Sequence, residues 1–103
     1  MPALSEYSNV YNTALLILQQ KGFQVWYDER TSRFWAEKDG WDFTAESPCG
    51  LLGVVAIYEF RQPSAWREYW WREEGPDVYD HLPKKPRPFE SVVTRDKSGT
   101  TRR

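Results

Sequence analysis

The sequence predicts a small α+β domain with an N-terminal helix, a three-stranded antiparallel β-meander, a buried helix and a short C-terminal helix, in the order αβββαα. Three observations carry that expectation. A helical apolar stripe opens the chain and stops at Gly22. Three alternating, aromatic-rich segments follow, the last two joined by Asp39-Gly40. Ser47-Pro48 then precedes a run that is apolar on nearly every side.

The first helix is expected over residues 9–21. Val10, Tyr11, Ala14, Leu15, Ile17 and Leu18 fall on one stripe, and Leu16 widens it. Gly22 supplies the stop, because the residue just past a helix end often needs a positive φ.

Strands are expected over residues 23–28, 33–38 and 41–46. Asp39-Gly40 is a two-residue hairpin signal, since a type I′ turn needs positive φ at both central positions. It sets Lys38 opposite Trp41, Ala36 opposite Phe43 and Phe34 opposite Ala45. Pairing Asp28 with Arg33 across a four-residue loop sets Trp26 opposite Trp35 and Val25 opposite Ala36. Strand alternation then gives a core face of Phe23, Val25, Tyr27, Phe34, Ala36, Phe43 and Ala45. The other face holds Gln24, Trp26, Asp28, Arg33, Trp35, Glu37, Asp42, Thr44 and Glu46, polar but for the tryptophan pair.

Ser47 is a favoured N-cap and Pro48 suits the first helical position. Leu51, Leu52, Val54, Val55, Ala56, Ile57, Tyr58 and Phe60 make the second helix apolar almost all round, so it is expected at the centre of the fold. Gly50, Gly53 and Ala56 recur every three residues and predict a flat strip for close backbone approach. Pro63-Ser64 marks a break. Residues 65–74 read as a short helix with Trp66, Tyr69 and Trp70 on one face, closed by Gly75-Pro76. One domain is expected over residues 1–83, and residues 84–103 read as a disordered basic tail.

Charge divides along the chain in the same way. Residues 1–83 carry seven Lys+Arg against thirteen Asp+Glu, a net of −6, and residues 84–103 carry seven against two, a net of +5. An acidic body repels phosphate, and the basic tail has no ring besides Phe89, so nucleic acid is a poor partner. The one cysteine allows no intrachain disulfide. With no signal-peptide pattern and no apolar run of membrane-spanning length, a cytoplasmic location is expected.

No catalytic constellation emerges. His81, the single histidine, lies in Asp80-His81-Leu82-Pro83 at the edge of the expected domain, where nothing rigid would hold it. Cys49 falls in the first turn of the second helix, the one position that could favour a reactive thiol, but the favoured reading is a small buried residue, as free cysteines usually are. Glu37, Asp39, Asp42 and Glu46 cluster around the second hairpin without the spacing of a calcium loop. No metal and no cofactor are implied.

The tryptophans carry the functional expectation. Trp26 and Trp35, flanked by Asp28, Arg33, Glu37, Asp42 and Glu46, form an apolar pair on a polar face. Such rings dominate interface hot spots, and acidic neighbours steer a basic partner. The pattern implies a non-enzymatic protein–protein interaction module, immunity-like or adaptor-like toward another protein, or self-associating with a second copy. The alternative is a small-ligand site in an aromatic cleft around Trp66, Trp70 and Trp71, where planar or sugar-like molecules stack. In a third arrangement the last helix simply covers Trp26 and Trp35.

Overall fold

A computed structural model of the chain describes residues 2–86. Two α-helices and three strands build the fold among the described residues: α1 (Ser8–Gln20), β1 (Gln24–Asp28), β2 (Arg33–Lys38), β3 (Trp41–Ala45) and α2 (Pro48–Arg61). The strands make one antiparallel sheet in the order β1-β2-β3. Its register pairs Trp26 with Trp35, Val25 with Ala36, Ala36 with Phe43 and Lys38 with Trp41, as the two hairpins require.

Local chemistry explains each boundary. At the end of α1, Gly22 takes φ +94°, Gly22 N–H donates to the Gln19 carbonyl, and Phe23 N–H donates to the Leu18 carbonyl. That Schellman closure satisfies the Leu18 and Gln19 carbonyls. Asp39 and Gly40 both have positive φ, as a type I′ turn demands. In the first hairpin the left-handed residue is Ser32, whose N–H donates to the Asp28 carbonyl. At the start of α2 the Ser47 hydroxyl accepts from Gly50 N–H at 2.9 Å and donates to the Glu6 carboxylate.

The core comprises Leu18, Phe23, Ala36, Phe43, Ala45, Leu51 and Val55. α2 packs over β2 and β3, and α1 packs against α2 and β1. Ala36 and Ala45 are the small residues beneath α2. A methyl built on Gly50 would stand 3.4 Å from the Ala45 methyl, so Gly50 marks the close approach of helix and sheet. An aromatic cluster extends this core, with Trp41 5.2 Å from Tyr58 and 5.3 Å from Trp70 between ring centroids.

Four expectations are corrected. α2 is not buried all round: Gly53, Ala56, Ile57 and Phe60 face outward, Phe60 being 71% exposed. Gly53 has open space where a side chain would stand, so only Gly50 of the expected strip meets the sheet. The short helix over residues 65–74 is also absent. Gln62 and Tyr69 sit at left-handed φ, and the segment runs as consecutive turns closed by Trp70 N–H to Arg67 and Arg72 N–H to Tyr69. Pro63 and a run of bulky rings offer little helical propensity, and a helix so short lacks the length to repay its nucleation. Packing of Trp70 on Trp41 and Tyr58 decides the local path instead. Finally, Tyr27 has the parity of the core face but is 49% exposed, because the helices leave the β1 corner of the sheet open.

By contacts the chain divides into two units, Met1–Arg72 and Glu73–Arg103. In the second unit residues 73–86 are all exposed and contain one 3-10 turn, Tyr79–His81. Beyond residue 86 the expected basic tail lies outside the described residues. Among the described residues no helix is long and apolar enough to cross a membrane.

Candidate functional site

The outer face of the sheet is built from alternate residues of all three strands. Trp26 and Trp35 are directly opposed, and their rings lie parallel, 6° apart in plane with centroids separated by 6.0 Å. Offset parallel rings at this distance attract one another beyond the area they cover. Trp35, on the central strand, is half-buried, while Trp26, on the edge strand, is 45% exposed. Among the described residues the covering arrangement is not found. The segment after α2 packs Trp70 against Trp41 and Tyr58, on the opposite side of the sheet from Trp26 and Trp35.

The charged residues of this face are held at its margins. Arg33 Nε donates to the Thr44 hydroxyl at 3.0 Å, and Thr44 donates in turn to the Phe34 carbonyl. This relay lays the guanidinium along the sheet beside Trp35. Arg33 also lies 3.8 Å from Glu46, a well-solvated carboxylate, so that ion pair adds little stability. Asp28 closes the first turn by accepting from Arg30 N–H and the Thr31 hydroxyl. Glu37 and Asp42 are directly opposed, and Glu37 accepts from Gly40 N–H at 3.0 Å. The turn amide thus offsets part of the like-charge repulsion. Lys38 is committed elsewhere: it donates to the Lys21 carbonyl and stands 5.3 Å over the Phe23 ring on the core side.

Trp66, Trp70 and Trp71 do not converge. Trp66 and Trp70 line an open cleft of about 770 Å³ formed by residues 61–70, together with Arg61 and Arg67. Trp66 is 72% exposed, whereas Trp70 is held edge-on by Trp41 and Tyr58. Trp71 belongs to a separate group in which its ring meets Tyr69 edge-on and the Arg72 guanidinium sits 4.4 Å over Tyr69.

Comparison of the chain with protein-family models, curated proteins and solved structures finds no match. The site therefore stands on its own geometry. His81 is exposed and its Nδ1 lies 2.8 Å from the Asp77 carbonyl, a contact within its own turn. Cys49 is half-buried in the first turn of α2. Among the described residues no three His, Cys, Asp or Glu side chains gather where they could hold a metal ion.

Sequence reasoning missed Tyr27. Strand parity put it in the core, but it stands at the open edge with its ring 4.8 Å from that of Phe34. Its place on the first strand of a meander, at a sheet edge by construction, was the available signal.

Proposed function

We propose that the chain is a non-enzymatic protein-interaction module that binds a partner protein through the outer face of its sheet. The observation that supports this most is the parallel Trp26–Trp35 stack, left open while the chain's remaining tryptophan-rich segment packs on the other side. Two large rings provide contact area at little entropic cost, because a tryptophan side chain has few rotatable bonds and these two already hold one another. Asp28, Glu37, Asp42 and Glu46 surround them with negative charge, which suits a basic partner surface.

The test is affinity capture with the full chain as bait. A Trp26→Ser/Trp35→Ser variant loses the partner, a Trp66→Ser/Trp71→Ser variant keeps it, and captured partner elutes as salt rises through the range where the Debye length falls below about 10 Å. Circular dichroism checks that each variant is folded. Unchanged capture by a folded Trp26→Ser/Trp35→Ser variant overturns the proposal.

A second reading rests on the cleft whose lining includes an exposed ring, Trp66, and a fixed one, Trp70, together with Arg61 and Arg67. It suits a planar or sugar-like ligand carrying negative charge. Titration of candidate ligands against tryptophan emission, with Trp66→Ala as control, decides it: a response unaltered by that substitution rejects the cleft.

A further inference from the structure

We infer that this module also pairs with a second copy of the chain, joined antiparallel at the β1 edge about a two-fold axis that passes between the two Trp26 residues. The inference rests on the protein-binding reading above, extends it to the sheet edge and names the occupant and register.

It follows from where the main-chain groups of β1 point. The Thr44 hydroxyl donates to the Phe34 carbonyl, so Phe34 turns its main-chain groups toward β3. The two-residue hairpin at Asp39-Gly40 gives the same alternation, with Lys38, Ala36 and Phe34 bonding to β3. The residues opposite Ala36 and Phe34 on β1 are Val25 and Tyr27, whose N–H and C=O groups therefore face away from the sheet. Among the described residues nothing outside the ladder hydrogen-bonds to residues 24–27. The edge also lacks the usual protections, having no proline, lysine or bulge. The other edge is flanked, since Ala65 and Trp66 lie beside Trp41 and Asp42.

A two-fold axis between the two Trp26 residues makes this edge self-complementary. Val25 of each copy meets Tyr27 of the other, so the outward groups form four main-chain hydrogen bonds. Trp26 meets its symmetry mate at a close, non-hydrogen-bonded position, which extends the parallel stack from two rings to four. Exposed Tyr27 gains Val25 of the other copy as cover at the open corner of the core face. Gln24 faces Asp28, an amide donor against a carboxylate, so no like charges are opposed. So short an edge gives an interface at the small, transient end of the range, with half-dimerisation between about 10 µM and 1 mM.

Amide hydrogen exchange by NMR on the full chain tests this, together with sedimentation over the same concentrations. The Val25 and Tyr27 amides become protected as concentration rises, while Trp26, bonded within the sheet, is protected throughout. Val25→Pro removes an outward N–H, leaves the ladder to β2 intact, and abolishes the dimer. Three results overturn the inference: a monomer at about 1 mM, a dimer in which Val25 and Tyr27 exchange freely, or protection unchanged by dilution, which means that one chain covers its own edge. The exchange measurement on the unaltered chain decides even where Val25→Pro does not fold. A monomeric chain that still loses a captured partner on Trp26→Ser/Trp35→Ser keeps the binding face and loses only the edge.

Discussion

Replacing Gly53 by alanine is expected to stabilise the protein. Gly53 lies inside α2, and a methyl built on it meets no atom within 4 Å. The substitution therefore changes backbone propensity and little else. Alanine is favoured over glycine by about 1 kcal/mol in a helix interior, partly because the unfolded chain loses freedom. With a urea dependence of about 1 kcal/mol/M for a domain of this size, the unfolding midpoint rises by about 1 M. The thermal midpoint rises by about 4–8 °C. Gly50→Ala serves as the internal comparison. Its added methyl would lie 3.2 Å from the Ser47 hydroxyl and 3.4 Å from the Ala45 methyl, so crowding of the cap and of the helix–sheet contact opposes the same propensity gain. The assay is equilibrium urea unfolding followed by circular dichroism, which does not depend on the tryptophans. A fall in the Gly53→Ala midpoint would refute the reasoning, since it would place a packed neighbour over the outward face of α2.

Other perturbations have expected sizes from the same structure. Leu18→Ala empties a fully buried site between α1 and the sheet and costs about 3–5 kcal/mol, read from urea unfolding. Ser47→Ala removes the acceptor for Gly50 N–H and costs about 1 kcal/mol in the same assay. Trp70→Ala destabilises by about 1–3 kcal/mol because its ring fills the space against Trp41 and Tyr58, whereas Trp66→Ala stays within about 0.5 kcal/mol, both measured by thermal unfolding.

The sheet was legible in the sequence because β2 is shared. The Asp39-Gly40 turn set the second hairpin, and pairing Asp28 with Arg33 put the same residues of β2 on the same face, so the two registers agreed. Helix ends were legible where one residue's chemistry decides them, at Gly22 and at Ser47-Pro48. The orientation of α2 was not legible. When Leu51, Leu52, Val54, Val55, Ala56 and Ile57 are all apolar, periodicity carries no phase, and the short side chains of Ala36 and Ala45 decide which side docks. The segment after Pro63 misled for a related reason. Rings at 66, 69 and 70 have helical spacing, but their burial is set by Trp41 and Tyr58, distant in sequence. At the candidate site the Trp26–Trp35 pairing could be read from register alone. The openness of the β1 corner could not, because it depends on how far two helices reach across three strands.

The sheet order follows the chain order, and this bears on how the protein comes to be folded. Loops of four and two residues close the two hairpins, so every strand contact is local and forms on the timescale of hairpin closure, about 1–10 µs. The contacts that complete the domain span far more chain, as between Glu6 and Ser47 or Lys21 and Glu59, and their loop closure comes later. The tryptophan stack needs only the first hairpin. On a ribosome, residues 24–45 would have emerged and paired before α2 could arrive to cover them. During that interval both faces of the meander are wet and the β1 edge is open. Crowded synthesis is then the condition under which strands of neighbouring chains meet, and slow translation through α2 would lengthen the exposure.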